Sequence, residues 1–152
     1  MSNCPFCAII DGTNTTPIVY QDGENIAFLD HAPYTRGHTL IVPRRHYRDL
    51  LAVPPEAIGG LFGLAQRVGQ AALQALQADG FHLGINNGKA ARQVVFHAHV
   101  HIIPRWHGDE MDFSSRLKLS RAEEEEVSQA LRQALDVPGE YGYDETVTDT
   151  PA

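Results

Sequence analysis

One run of alternating residues constrains the fold of this chain more than any other feature of the sequence. From His97 to Ile103 the sequence reads HAHVHII, so that histidines alternate with apolar residues. Alternation with a period of two is typical of a β-strand, in which successive side chains point to opposite faces. The run therefore predicts a strand with its imidazoles along one face, about 7 Å apart, and its apolar side chains buried on the other. The histidines of this run are His97, His99 and His101.

The other β-prone segments predict a largely antiparallel sheet. Asp22-Gly23 separates the first two segments, and this turn signal predicts a hairpin between them. Because the first three segments follow one another in hairpin-like sequence, an α+β fold with a five-stranded sheet is favoured over a doubly wound fold. The five predicted strands are 18–20, 25–30, 38–42, 81–85 and the histidine-rich 94–103.

Two main helices are predicted. The first begins at Pro54-Pro55 and ends at Asp79-Gly80, where glycine is the expected C-terminal cap. Its apolar positions step by three and four, which is the pattern of an amphipathic helix. Its several glycines are typical either of close packing against a neighbour or of tolerated substitution. The second helix is predicted from a capping box at Ser120 and Glu123 to about Leu135.

Composition excludes several classes of protein. The 152 residues suit one domain, and the net charge of −7 excludes a broad basic surface, so we expect neither a nucleic-acid partner nor a membrane partner. No apolar run approaches the roughly 18 residues of a membrane span, and the first residues lack the features of a signal peptide, so a cytoplasmic location is expected. The expected organisation is one domain over 1–137, followed by an acidic, mobile tail over 138–152.

The histidine run is the strongest candidate for a functional site. A neutral imidazole can serve as a metal ligand, a proton shuttle or a nucleophile. One alternative is that two or three of the histidines bind a metal ion directly. Another is that the three histidines have no chemical role and are half-buried polar residues on an edge strand. Other polar residues have structural roles as alternatives: Asp30 as a turn cap and His38 as a buried core histidine.

Cys4 and Cys7 form the only pair of cysteines, with two residues between them. Two cysteines do not make a disulfide scaffold. A redox pair usually follows a strand, and Cys4 lies too close to the start of the sequence for that strand. A zinc site needs two further ligands, which the spacing alone does not supply.

Several segments together resemble the histidine-triad (HIT) nucleotide-binding proteins. The signature of that family is His-φ-His-φ-His-φ-φ, where φ is apolar, and HAHVHII matches it. The segments CPFCAII, AFLDHAPYTRGHTLIVPRRH, DGFHLGINNG and QVVFHAHVHIIPRW follow in the family's order. The resemblance covers about 4–135. It implies the HIT-like fold, a homodimer, and a purine nucleotide or nucleotide conjugate as the ligand.

The resemblance implies a role for each histidine. His99 matches the nucleophile that attacks the α-phosphorus and becomes nucleotidylated. His101 matches the histidine that contacts the phosphate near the leaving group. His97 matches the first member of the triad, and His38 matches an upstream histidine in the network that orients the nucleophile.

The resemblance also implies the nucleotide-binding residues. Asp30 matches the acid that holds the ribose hydroxyls. Other positions match apolar residues around the base or polar groups around the phosphates. These are Phe6, Ile9 and Phe28 for the base and Asn86, Gln93 and the backbone N–H of Val94 for the phosphates. Arg92-Gln93-Val94 departs from the common Gly-Gln-Ser or Gly-Gln-Thr, which removes a hydroxyl and adds a cation at the edge of the pocket.

The resemblance leads to three functional hypotheses. The first is a hydrolase or transferase that cleaves nucleoside phosphoramidates, dinucleoside polyphosphates or adenylated compounds at the α-phosphorus through a nucleotidyl-histidine, with no metal at the reacting centre. The second is a nucleotide-binding regulatory protein with negligible turnover, and the third is a zinc-dependent hydrolase. In zinc-bearing relatives, a structural zinc site corresponds to Cys4, Cys7, His46 and His97.

Overall fold

The structure is a computed structural model that describes residues 3–136. Its centre is a five-stranded sheet in the order β1-β2-β3-β5-β4, in which every neighbouring pair is antiparallel. This confirms the predicted α+β fold. The strands are β1 (Ile18–Gln21), β2 (Asn25–Leu29), β3 (Thr39–Pro43), β4 (Gly80–Gly84) and β5 (Val100–Arg105). The helices are α1 (Pro5–Ile10), α2 (Pro55–Ala75) and α3 (Arg121–Asp136), with short 3₁₀ turns at Leu50–Ala52 and Lys89–Ala91.

The predicted hairpin and the predicted capping box are both present. The Asp22 carboxylate accepts hydrogen bonds from the backbone N–H groups of Glu24 and Asn25, both at 2.8 Å, and so closes the turn between β1 and β2. At the start of α3, Ser120 N–H donates to the Glu123 carboxylate at 2.7 Å, and Glu123 N–H donates to Ser120 Oγ at 3.2 Å. These reciprocal bonds satisfy N–H groups that the first turn of a helix leaves without partners.

The end of α2 differs from the sequence prediction. The helix ends at Ala75, before Asp79-Gly80, and the residue with the left-handed backbone is Gln77 with φ of 53°. Gly80 instead begins β4. One glycine of α2 does pack closely within the chain, because a Cβ at Gly69 would lie 2.4 Å from the Phe81 ring. That contact brings α2 against β4.

The short helix α1 was not among the predicted elements. Pro5 occupies the first turn of this helix, where the N–H that proline lacks would have no partner. The proline was the sequence signal that could have predicted the helix. Its buried residues Phe6 and Ile9 pack on one face of the sheet, whereas α2 and α3 pack on the other. The helix therefore covers the sheet face that carries the candidate site.

The prediction of one regular strand over 94–103 is wrong at its beginning. Strand β5 begins at Val100, so His101 lies on the strand whereas His97 and His99 lie in the irregular segment before it. Hydrogen bonds to residues distant in the sequence hold that segment: Ala98 N–H donates to Tyr47 O at 2.7 Å, and His97 Nε2 lies 2.8 Å from Pro43 O. The predicted spacing of about 7 Å does not hold for the last two imidazoles, because the ring centroids of His99 and His101 are 4.9 Å apart.

The apolar residues of the same segment are buried as predicted. Ala98, Val100 and Ile102 are almost fully buried, and the last two join the core between the sheet and helices α2 and α3. No helix within residues 3–136 is long and apolar enough to cross a membrane. The acidic tail predicted for 138–152 lies outside the described residues.

Candidate active site and metal centre

A chain of hydrogen bonds fixes the protonation of two imidazoles. Tyr34 N–H donates to His38 Nδ1 at 3.1 Å, so the proton of His38 is on Nε2. His38 Nε2 lies 2.9 Å from His101 Nδ1 and therefore donates to it. The proton of His101 is then on Nε2, which is buried and has no hydrogen-bond partner among the described residues. A buried donor without a partner is costly, and it indicates a place where a ligand binds.

The third imidazole, that of His99, carries its proton on Nδ1 and not on Nε2. Its Nδ1 lies 2.7 Å from the carbonyl oxygen of His97. Because a carbonyl only accepts, Nδ1 carries the proton and Nε2 carries the lone pair. The His99 ring is buried, with ring centroids of Phe6 and His101 at 5.0 and 4.9 Å. The neighbouring rings of His99 and His101 therefore offer an unprotonated Nε2 on His99 and an Nε2–H donor on His101.

Burial keeps these imidazoles neutral. It lowers the pKa of His38 to about 2 and that of His101 to about 4, and the positive charges of other imidazoles and of Arg116 act in the same direction. Burial also lowers the pKa of His97 to about 4 and lowers that of His99. Near pH 7 the site therefore presents neutral nitrogen atoms, which an anionic ligand can approach without displacing a proton.

Two adjoining cavities open on this face of the sheet. One, of about 440 Å³, has mostly apolar walls. The other, of about 250 Å³, is lined by His99 and His101. Five residues line both, so the two form one continuous groove. Of the residues expected to bind nucleotide, the groove is lined by Phe6, Ile9, Phe28, Asp30, Asn86 and Val94.

Asp30 lies at the junction of the two cavities. Its Oδ1 accepts from Ala32 N–H at 2.9 Å, and its Oδ2 lies 3.6 Å from His38 Nε2 and 3.6 Å from Arg116 Nη1. Its side chain is 10% exposed. A carboxylate held in this way keeps acceptor capacity for hydroxyl groups in the groove.

Gln93 lies apart from these cavities. Its Oε1 accepts from Gly88 N–H at 2.8 Å, and its Nε2 donates to Arg48 O at 2.9 Å and to Val95 O at 3.1 Å. The amide therefore braces the loop before His97, and it is not among the residues that line the groove. The sequence pattern could not distinguish a loop brace from a phosphate ligand.

A second cluster lies on the other side of His97. One ligand atom from each of Cys4, Cys7, His46 and His97 lies within 4.8 Å of the others. His97 Nδ1 is 3.5 Å from Cys4 Sγ and 3.7 Å from Cys7 Sγ, and His46 Nδ1 is 3.3 Å from Cys7 Sγ. In a tetrahedral zinc site with the usual bond lengths, nitrogen and sulfur ligands are about 3.5 Å apart.

The tautomer of His97 also suits a metal. Its Nε2 donates to Pro43 O at 2.8 Å, so the lone pair is on Nδ1, the atom that faces the two sulfur atoms. The donor set, its spacing and this second hydrogen bond together favour zinc, in agreement with the residues expected from the sequence.

A further group, Asp30, His38 and His101, also has ligand atoms within 4.8 Å of one another. Here the hydrogen bonds oppose metal binding, because Tyr34 N–H occupies Nδ1 of His38 and its Nε2 therefore carries a proton. This pattern argues against the hypothesis that the triad ligates a catalytic zinc ion directly.

A third cavity, of about 510 Å³, lies on the far side of His101, and the sequence reasoning missed it. Its walls include Tyr34, Phe113 and Arg116. Arg116 lies over the Tyr34 ring, 3.7 Å from its centroid, and donates to Ala32 O at 2.7 Å. Arg116 is 84 residues from Ala32 in the sequence, and no local pattern marks the pair.

Comparisons with known proteins agree with this arrangement. A family model described as HIT domain matches residues 11–108. An uncharacterized HIT-like protein of Mycobacterium tuberculosis is 43% identical over 133 residues, which are 87% of this chain and 92% of that protein. Adenylylsulfatase HINT3 of Arabidopsis thaliana is 35% identical over 145 residues, which cover 91% of this chain and 73% of that protein.

A solved structure is similar over most of the chain. It is a zinc-bound histidine triad family protein from Mycobacterium smegmatis, with 43% identity and a TM-score of 0.82, and the match covers 89% of this chain and 94% of the other. An antiparallel sheet with this histidine cluster defines the histidine-triad class of proteins. The chain belongs to the HIT family.

Proposed function

We propose that this protein is a nucleotide hydrolase or transferase that cleaves its substrate at the α-phosphorus through a nucleotidyl-histidine. The observation that carries the proposal is the hydrogen bond of 2.7 Å from His99 Nδ1 to the His97 carbonyl, which leaves the Nε2 lone pair free beside the groove. A neutral imidazole is a suitable nucleophile for an anionic phosphate, since it adds no negative charge and needs no deprotonation.

The reaction has two steps. In the first, His99 Nε2 forms a bond to phosphorus while the bond to the leaving group breaks and its electron pair departs with that group. In the second, the oxygen atom of a water molecule bonds to phosphorus, the electron pair of the N–P bond returns to Nε2, and the proton that the water molecule loses passes to solvent. The partnerless Nε2–H of His101 is suited to donate to the leaving atom or to a phosphate oxygen. His38 keeps that proton on Nε2 by donating to Nδ1.

The groove supports a nucleotide as the ligand. Its apolar cavity suits a flat purine base, and Asp30, which lines both cavities, is proposed to accept hydrogen bonds from the ribose hydroxyls. The backbone N–H of Val94 and the Asn86 amide are proposed as donors to the phosphate oxygens. The base-binding residues are Phe6, Ile9 and Phe28.

We also propose that the cluster of Cys4, Cys7, His46 and His97 holds a structural zinc ion. Bound zinc would hold α1 and the segments before β5 and after β3 together through four protein ligands. The resemblance of the chain to a zinc-bound relative supports this assignment. The ion takes no part in the reaction.

The experiment that tests the function is a trapping assay combined with turnover. Wild-type protein is incubated briefly with a fluorogenic adenosine phosphoramidate, quenched, digested and mapped by mass spectrometry. Adenylate on His99 is the expected result. Tight binding of adenosine monophosphate without adenylate or turnover would favour the regulatory hypothesis. Turnover that a chelator abolishes at once, while the fold persists by circular dichroism, would favour a catalytic metal.

A further inference from the structure

The cavity beyond His101 continues the groove, and it shares no lining residue with the apolar cavity. It shares four lining residues with the cavity that contains His99, so His101 lies between two connected spaces. The shared residues are Asn86, Arg92, His101 and Arg116. The buried Nε2–H of His101 is the polar atom without a partner at this boundary.

The charge of this cavity is distinctive. Its described walls include two arginines, Arg92 and Arg116, and no acidic residue, although the chain as a whole has a net charge of −7. Asp30, which lines the neighbouring cavity, compensates Arg116 in part at 3.6 Å. Arg92 makes no ion pair within residues 3–136. The cavity therefore has cationic charge available for a ligand.

The backbone at Arg92 adds an independent observation. Arg92 has φ of 66°, in the left-handed region that glycine adopts freely and that disfavours residues with a side chain. An arginine at this position therefore destabilises the loop relative to glycine. An arginine that lines both cavities from a strained backbone position indicates a function for its side chain.

We propose that this cavity is the leaving-group subsite and that Arg92 and Arg116 make it select an oxyanion, a phosphate chain or a sulfate joined to the α-phosphate through an anhydride oxygen, over an amine. The inference rests on the proposed function, which it makes more specific.

An oxyanion and an amine leave with different charges, and arginine stabilises only the first. When His99 attacks an anhydride, the P–O bond breaks and its electron pair stays on a phosphate or sulfate oxygen, which leaves as an anion. A nearby guanidinium stabilises that charge. An amine must instead gain a proton as the P–N bond breaks, and arginine does not give up a proton in proteins. Two arginines therefore favour the anhydride.

The experiment compares three substrates: diadenosine tetraphosphate, adenylyl sulfate and an adenosine phosphoramidate with an uncharged amine product. The variants are Arg116→Met and Arg92→Gly, and the readout is the ratio of kcat/KM for each anhydride to that for the phosphoramidate. We expect each variant to lower the ratio about tenfold or more, since a hydrogen bond to a charged group is lost. Arg92→Gly keeps the left-handed backbone, so it serves as the variant that folds.

Arg67→Met is the matched control. Arg67 lies over the Tyr20 ring at 4.7 Å, as Arg116 lies over Tyr34, but Arg67 is on α2 and does not line the cavity. Its ratio should equal that of the wild type. A decrease confined to diadenosine tetraphosphate identifies a phosphate chain, and one confined to adenylyl sulfate identifies a sulfate.

The leaving-group assignment and the proposed function would be overturned by different results. An unchanged ratio in the Arg92 and Arg116 variants, with or without an equal loss of all three activities, would overturn the leaving-group assignment and leave the nucleotidyl-histidine reaction standing. A wild-type protein that cleaves none of the three substrates would overturn the proposed function itself.

Discussion

At the scale of single residues, the two nitrogen atoms of His99 have different partners, and this difference makes the strongest mutational prediction. His99→Ala removes the proposed nucleophile while Asp30 and the apolar cavity remain. Turnover should fall by a factor of about 1,000 or more. Binding of adenosine monophosphate should stay within about 1–2 kcal/mol of wild type. Single-turnover kinetics and titration calorimetry measure the two effects.

His101→Ala is the comparison for that variant. It removes a hydrogen-bond donor but leaves the proposed nucleophile, so its loss of turnover should be smaller than that of His99→Ala. A His99→Ala protein that retained more than about a hundredth of the wild-type rate would contradict covalent catalysis at this residue.

The buried imidazoles also predict how stability depends on pH. The pKa of His101 is lowered to about 4, chiefly by burial, whereas in the unfolded chain it lies near 6.5. The unfolded chain therefore binds more protons below pH ~6.5, and the free energy of unfolding should fall as the pH drops from 6.5 to 4. The loss from His101 alone is about 3 kcal/mol.

Urea unfolding at pH 7, 5.5 and 4.5 measures this loss. His101→Gln is the control, because glutamine does not titrate. Its free energy of unfolding should depend less on pH over the same range. An equal slope in the variant and the wild type would show that other groups carry the acid sensitivity.

At the scale of elements, the segment before β5 shows where sequence reasoning succeeded and where it could not. Period-two alternation correctly predicted the burial of Val100 and Ile102 and a strand at His101. It overextended the strand, because the bonds that bend the segment come from distant residues: Tyr47 O accepts from Ala98, and Pro43 O from His97. A local pattern does not contain such partners.

The predicted metal ligands were identifiable for a different reason. Cys4 and Cys7 are adjacent enough to be recognised as a pair, but His46 and His97 became candidates only through the family resemblance. Arg116 lies in no local motif and in none of the segments that carry the resemblance, and only the folded chain brings it to Asp30 and Tyr34.

The cluster of Cys4, Cys7, His46 and His97 is connected to His99 through His97, and it leads to a prediction for zinc. His97 contributes Nδ1 to the cluster, and its carbonyl accepts the hydrogen bond of His99. Cys4→Ser should therefore lower the melting temperature and the zinc content together, since a lost metal ligand destabilises the segments that it joins. Differential scanning fluorimetry and elemental analysis provide the two readouts.

Chelation supplies the control for that prediction. A chelator should lower the melting temperature of the wild type and have little further effect on Cys4→Ser. Purification without chelators that gave protein with two titratable thiols and no zinc would count against the assignment.

At the scale of the whole molecule, the two edges of the sheet are not equivalent. Strand β1 has an irregular register with β2, and Arg132 of α3 donates to Ile18 O at 2.7 Å, so this edge is covered in part. Strand β4 pairs only with β5 within the described residues, and its His82 and Leu83 are exposed. Unpaired backbone groups on an exposed edge strand favour pairing with a second chain.

The resemblance implies a homodimer, and the structure suggests where the copies meet. The glycine face of α2 was the surface first expected, but Gly69 already packs on Phe81 within the chain, whereas Gly59 and Gly63 have open space beside them. Because α2 packs against β4, a two-fold axis beside β4 would join the two sheets and bring these open glycines close to the interface.

We therefore predict a dimer that forms through the β4 edge. Light scattering at micromolar concentration should give about twice the 16.7 kDa chain mass. Leu83→Lys should shift the protein toward monomer, because it places a charge on the pairing edge. Leu117→Lys is the matched control, since Leu117 is 46% exposed against 42% for Leu83 but lies outside the sheet. A wild-type monomer, or equal dissociation in both variants, would contradict an interface at β4.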